Sequence, residues 1–229
     1  MTTKRFAKDL QKFYESGFDK DGIFIHIDES NMTEVRAMIV GNSETPYEYG
    51  FHFFTITITE TYPLDPPSVK YVTGDGVTRF NPNLYVEGKV CLSIINTWSG
   101  PKWSPVMTFG QILLSIKSMI LNSEPLTNEP GFENSKDVRI QIYSDFIEHQ
   151  NLKVACLEQI LLQPQGFEPF YGEMKRHFVE NESAIFTKLT KLKEEKNGIR
   201  LQLNYANVNL VTDYEKLIDL FHKVKQATT

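Results

Sequence analysis

The run Asn81-Pro82-Asn83-Leu84-Tyr85-Val86-Glu87-Gly88-Lys89-Val90-Cys91-Leu92-Ser93-Ile94 follows neither a helical nor a strand period. Gly, Asn and Pro recur throughout residues 74–107, so the whole stretch reads as one long loop region. Irregular segments of this length inside an ordered domain are uncommon and usually functional. On its N-terminal side the pattern is β. Ile23, Ile25 and Ile27 alternate with Phe24, His26 and Asp28, and residues 35–40 form a second candidate strand. Residues 51–59 form a third, with Phe53, Thr55, Thr57 and Thr59 on one side and Phe54, Ile56 and Ile58 on the other. Residues 69–72 form a fourth. Short polar links between them predict a four-stranded antiparallel meander.

Helical periods frame this sheet. Phe6, Leu10 and Phe13 share one face of a first helix that stops at Ser16-Gly17. Beyond the loop, Phe109, Ile112, Leu113, Ile116, Met119 and Ile120 make a stripe with Thr108 as its N-cap. A further helical pattern runs from 137 to 162 and breaks at Gln163-Pro164-Gln165-Gly166. Residues 173–196 are again helical, 199–205 read as a short strand and 214–225 as a last helix. The predicted class is α+β, with a core over residues 1–150 and a mainly helical extension, 151–229, packed on it.

Composition narrows the function. In 229 residues, 41% are apolar and 23% charged, which suits a folded core and argues against disorder. The net charge is −5 with no long basic run, so nucleic acid is not an expected partner. No apolar stretch is long enough to span a bilayer and no signal peptide is visible, so no membrane role is expected and the expected compartment is cytoplasmic or nuclear. Two cysteines are too few for a disulfide framework or a cysteine zinc cluster, and no metal is expected. Cys156, between Ala155 and Leu157 in an apolar helical pattern, reads as core. Cys91, among Gly88, Lys89, Ser93 and Asn96, points to an exposed thiol. A cysteine phosphatase would need a basic group shortly after Cys91, and the residues 92–97 carry none. A cysteine hydrolase would need one of His26, His52, His149, His177 or His222 beside the thiol in space. Asn81-Pro82-Asn83 precedes Cys91 by eight residues, a spacing at which an asparagine amide could stabilise an oxyanion formed at a thioester. Tyr62-Pro63-Leu64-Asp65-Pro66-Pro67, after the third strand, is a rigid loop suited to docking.

Taken in order, Pro46-Tyr47, Gly50, Phe53-Phe54, Tyr62-Pro63-x-x-Pro66-Pro67, Asn81-Pro82-Asn83, Gly88-Lys89-Val90-Cys91-Leu92-Ser93-Ile94 and Trp103-Ser104-Pro105 resemble the ubiquitin-conjugating enzyme family over residues 1–135. The resemblance implies that fold: a first helix, a four-stranded antiparallel meander, an active-site loop and C-terminal helices. It implies that Cys91 accepts ubiquitin or a related modifier as a thioester from an activating enzyme. The modifier then passes to a lysine of a protein substrate or to a ligase. No cofactor is implied, because ATP is used by the upstream activating enzyme. Asn83 matches the family asparagine, either stabilising the oxyanion or holding the loop. Asn81, Pro82, Leu92, Ser93 and Trp103 fall in the active-site loop. Glu129, with Asn128 second, matches the polar position that orients the incoming lysine and takes its proton. Lys4, Arg5 and Lys8 match the basic first-helix face that meets the activating enzyme, and Leu64, Pro105 and Val106 the loops that dock ligases.

Several departures refine the resemblance. Asn81 replaces the usual histidine, Gly41-Asn42 replaces Gly-Pro, and Leu64 replaces an aromatic residue. Trp98-Ser99-Gly100-Pro101 is extra length. The Asn-Pro-Asn variant, the run Thr97-Trp98-x-Gly100-Pro101-x-Trp103-Ser104-Pro105 and Asn128-Glu129-Pro130-Gly131-Phe132-Glu133 look most like the large Z-type enzymes, and they are also similar to the conjugating domains of giant inhibitor-of-apoptosis proteins and to the O-type enzymes. The alternative is a catalytically weak adaptor of the same fold.

Overall fold

The first helix, α1 (Thr2–Glu15), buries Phe6 and Phe13 and keeps Lys4, Lys8 and Lys12 in solvent, as its period predicts. Both buried rings meet Phe109, each at 5.7 Å between centroids, which ties α1 to the helix after the long irregular loop. The structure, a computed structural model, describes residues 2–132 and 137–228. Glu133 lies outside the described residues.

Four strands follow: β1 (Ile23–Ile27), β2 (Glu34–Val40), β3 (Phe51–Thr57) and β4 (Ser68–Tyr71). They pair antiparallel in the order β1-β2-β3-β4, with Ala37 opposite Phe54 and Met38 opposite Phe53. Helix α2 (Phe109–Ser115) continues as a π-helical turn, Ile116–Ile120. Thr108 caps α2 in a reciprocal box with Gln111. Helix α3 (Val138–Gln150) runs without a break through a π-helical segment, Asn151–Glu158, into α4 (Gln159–Leu162). Residue 150, the expected junction of core and extension, lies inside this continuous helix. Then come α5 (Tyr171–Lys196), the hairpin β5 (Arg200–Leu203) and β6 (Val208–Val211), and α6 (Tyr214–Thr228). β6 is not predicted by the sequence, because Val208-Asn209-Leu210-Val211 is too short to show a period.

Two hydrophobic clusters lie on opposite faces of the sheet. Val35, Ala37, Ile39, Phe54 and Ile56 point to the first, with α1, α2 and α3. Met38, Val40, Phe51 and Phe53 point to the second, where Cys156, Phe167, Phe170 and the buried stripes of α5 and α6 cover them. β3 is therefore covered on both faces over Phe51–Phe54. Phe53 and Phe54 are both buried, because the C-terminal helices turn a sheet with one wet face into a middle layer. Charges pin the outer layer: Lys188 of α5 reaches Glu48 (2.9 Å) and Glu148 (3.2 Å), and Lys196 reaches Asp145 (2.8 Å) and Glu148 (3.1 Å).

The π-helical widening after α3 has a local use. Asn151 is buried; its Oδ1 accepts from His52 Nε2 (3.1 Å), and its amide nitrogen donates to the Glu48 carbonyl (2.9 Å). A Cβ on Gly50 would sit 2.0 Å from the Asn151 side-chain oxygen, so only glycine admits this side chain.

Candidate active site

The loop between β4 and α2 is built on hydrogen bonds rather than on a period. Asn81 is fully buried, and its amide is used at every lone pair and proton. It donates to the Tyr47 hydroxyl (3.0 Å) and the Ile120 carbonyl (2.8 Å). It accepts from the Asn83 backbone N–H (2.9 Å) and the Asn128 amide (3.2 Å). Tyr47 in turn donates to the Phe80 carbonyl at 2.7 Å. Asn81 thus joins the loop to the end of α2 and to the 125–128 turn. Buried polar networks of this kind stabilise one arrangement when every member is satisfied.

Asn83 then clamps Cys91 at both of its backbone polar groups. The Cys91 N–H donates to the Asn83 carbonyl (2.9 Å), and the Asn83 side-chain amide donates to the Cys91 carbonyl (2.6 Å). Of the two roles the family resemblance offers Asn83, this geometry is that of holding the loop. Thr97 completes the clamp. Its single hydroxyl proton is shared between the Val90 (2.8 Å) and Leu92 (3.1 Å) carbonyls, and its oxygen accepts from the Leu92 N–H (2.9 Å). Sequence reasoning assigns Thr97 no role, since nothing in its spacing distinguishes it from a surface threonine.

Cys91 is 2% exposed, which corrects the expectation of an exposed thiol. The polar residues around it turn their hydrogen bonds inward to hold the loop, while Val90, Leu92 and Ile95 bury into the first cluster. The extra length folds back on this segment. A Cβ on Gly100, whose φ is +122°, would lie 3.1 Å from the Ser93 Cβ, so Trp98-Ser99-Gly100-Pro101 packs against the residues that follow Cys91. Ser93 opens a short 3-10 turn, Ser93–Ile95.

Asn128 is committed to structure, donating to Asn81 and to the Met119 carbonyl (3.1 Å) and accepting from Asn122 (3.1 Å). Glu129 follows it directly, half-buried, and its Oε2 accepts from the Tyr205 hydroxyl at 2.7 Å. Tyr205 lies between β5 and β6.

The residues expected to dock partners lie on neighbouring segments. Leu64 and Val106 are 74% and 79% exposed, and Pro105 is exposed beside Val106. Trp103 bridges their loops, donating from Nε1 to the Pro63 carbonyl (2.8 Å). Lys4 and Lys8 are solvated, but Arg5 is used within the molecule. Its guanidinium pairs with buried Asp9 (2.9 Å) and donates to the Pro105 (2.5 Å) and Met107 (2.7 Å) carbonyls. Tyr62 donates to the same Asp9 at 2.5 Å.

The histidines occupy other places. His52 is buried and bonded to Tyr71 and Asn151, with its pKa pushed down to about 3 by burial. His149 partners Gln150 and the Asp213 N–H, His26 lies on the edge strand farthest from β4, and His177 and His222 belong to α5 and α6. Cys156 is 1% exposed in the second cluster, and burial pushes its thiol up to about 12. Among the described residues, no group of three or more His, Cys, Asp or Glu side chains is placed to hold a metal, and no helix is long and apolar enough to cross a membrane.

Known proteins match this arrangement. Residues 5–141 fit the family model described as "Ubiquitin-conjugating enzyme". The human protein ubiquitin-conjugating enzyme E2 Z is 38% identical over 178 residues, which covers 77% of this chain and 49% of that protein. Its Xenopus tropicalis counterpart is 33% identical over 224 residues, covering 97% of this chain and 70% of that protein. The chain spans about half the length of the human relative. A solved structure described as a putative ubiquitin conjugating enzyme from Plasmodium yoelii superposes with a TM-score of 0.51 at 27% identity, covering 67% of this chain and 95% of that one. The clamped cysteine, the four-stranded meander and these similarities agree: the chain belongs to the ubiquitin-conjugating enzyme family.

Proposed function

We propose that Cys91 accepts ubiquitin, or a related modifier, as a thioester and passes it to a lysine of a protein substrate or to a ligase cysteine. The supporting observation is the double clamp of Asn83 and Thr97, which fixes the peptide planes on both sides of one cysteine in an otherwise irregular loop. In the first step the Cys91 thiol gives up its proton, and its sulfur attacks the carbonyl carbon of the activating enzyme's thioester. That enzyme's thiol leaves and is reprotonated. In the second step a neutral lysine amine attacks the same carbon, the C–S bond breaks, and Cys91 is released as a thiol. Glu129 orients the amine and receives its proton. ATP is consumed upstream, so the chain needs no cofactor of its own. Lys4 and Lys8 offer positive charge to an acidic activating enzyme, and Leu64, Pro105 and Val106 offer apolar surface to ligases. The work is done in the cytoplasm or nucleus.

The test uses ubiquitin, a ubiquitin-activating enzyme and ATP, read on a non-reducing gel. A thiol-sensitive adduct forms with the natural protein and with Cys156→Ala, and is absent with Cys91→Ala. Cys91→Ser traps a slower-cleaving ester. An adduct that persists in Cys91→Ala overturns the assignment, and none with the natural protein favours the adaptor.

A further inference from the structure

We infer that Tyr205, in the C-terminal hairpin and outside the region that matches the family model, is a positioning residue for amine transfer: its hydroxyl holds the Glu129 carboxylate and its ring packs on Arg79. This rests on the reading of Cys91 and Glu129 given above. The hydroxyl donates to one carboxylate oxygen, Oε2, at 2.7 Å, which sets the plane in which Glu129 faces an incoming amine. Tyr205 is held above its ordinary pKa by burial and by Glu129 itself, so it stays a donor.

The ring makes a second connection to the same loop. The Arg79 guanidinium lies between the Tyr85 ring (4.0 Å to the centroid) and the Tyr205 ring (5.5 Å). From there its Nη2 donates to the Pro82 carbonyl at 2.5 Å, next to Asn83. Its Nε is buried without a hydrogen-bond partner among the described residues, so the Pro82 bond and the ring contacts together hold this guanidinium in place. Tyr143 closes the cluster, donating to the Arg79 carbonyl (2.7 Å) and meeting Tyr205 edge to face at 5.9 Å. One tyrosine of the extension therefore touches both the proposed proton acceptor and the arginine that steadies the Asn83 turn.

The hairpin is built to hold that tyrosine still. Leu201, Leu203 and Val208 bury into the first cluster with Ile140, Tyr143 and Ile147 of α3, not into the layer formed by α5 and α6. The turn itself places Ala206 (φ 54°) and Asn207 (φ 53°) in the left-handed region. For alanine that conformation is strained, and the packing on either side must offset it.

The experiment charges the full chain with ubiquitin and follows discharge onto free lysine in single turnover. Tyr205→Phe keeps the ring and loses the hydroxyl. It forms the Cys91 thioester at the normal rate and discharges it about five- to tenfold more slowly, the size of an ordinary lost hydrogen bond. In a Glu129→Ala background, Tyr205→Phe causes no further slowing, because the group it positions is gone. Tyr205→Ala, which also removes the ring from Arg79, discharges more slowly than Tyr205→Phe. Equal discharge by the natural protein and Tyr205→Phe overturns the inference while leaving the thioester reading intact. Equal slowing in both backgrounds, with a lowered Tm, also overturns it, by making Tyr205 merely structural. Failure of the natural protein to form a thioester overturns the underlying reading instead.

Discussion

Cys91 and Cys156 are both almost fully buried, at 2% and 1% exposure, yet their surroundings have little else in common. Cys156 sits in the second cluster among aliphatic and aromatic side chains, where burial holds the thiol protonated. Cys91 sits in a loop whose backbone groups are taken up, one by one, by Asn83 and Thr97. Burial alone therefore does not separate the core thiol from the one proposed to react. The difference is that one region is held by apolar area, which is indifferent to direction, and the other by directional bonds that fix where a sulfur points.

The largest effects are expected where the apolar region is broken. Phe178 is fully buried between the sheet and α6, against Phe221 at 5.4 Å. Phe178→Ala is expected to cost about 3–5 kcal/mol, as large-to-small core changes do. Because β2 and β3 contribute to both clusters, that loss should appear in a single denaturant transition monitored by far-ultraviolet dichroism. Two separated transitions would show that the outer layer peels away alone and that the two regions are independent.

A smaller effect probes the seam between the regions. His52 lies on β3, buried and bonded to Tyr71 and Asn151, and burial pushes its pKa down to about 3. The unfolded chain binds a proton near pH 6.5 and the folded chain does not. Stability is therefore complete above pH 6.5 and falls as the pH drops toward 3. Between pH 6.5 and 5 the loss from this group is about 2 kcal/mol. His149 and His177 are also held below their ordinary values, chiefly by burial, and add to the same limb. His52→Gln isolates the first contribution. Urea titrations at the two pH values should show a shallower acid loss in the variant, and equal losses would mean that His52 is protonated without cost.

The two regions also differ in how far they can be read from sequence. The first four strands, the buried face of α1, the Thr108 cap and most of the α2 stripe follow from periods and local chemistry and form, whereas Met119 of that stripe lies in the π-helical turn and is exposed. Cys91 and Asn83 stand out because eight residues separate them within one motif, and the bond between them is as local as that spacing. Tyr205 and Glu129 are 76 residues apart, and nothing periodic links them. The second face of β3 is hidden for the same reason: Phe53 looks like an ordinary strand residue until α5 and α6 arrive to bury it. Arg5 shows the opposite failure. Its charge reads as a docking face, and the fold spends it on Asp9 and two carbonyls.

The smallest expected effect on stability is the sharpest test of the directional region. Thr97 is exposed as a residue, but its hydroxyl makes three bonds to the backbone on either side of Cys91. Thr97→Val preserves shape and removes all three. Because water can reach the freed groups in part, the cost in stability should be only about 1 kcal/mol. The cost in reaction rate should be out of proportion to it, since a loosened loop lets the sulfur leave the one orientation that the clamp selects. Thioester formation by Thr97→Val, timed against the natural protein at equal folded fraction, should be several-fold slower. A variant of apolar contacts with the same small loss of stability, such as Leu192→Val in α5, should charge at the natural rate. If both variants charge alike, Thr97 is one more stabilising contact, and the loop around Cys91 is held no differently from the core around Cys156.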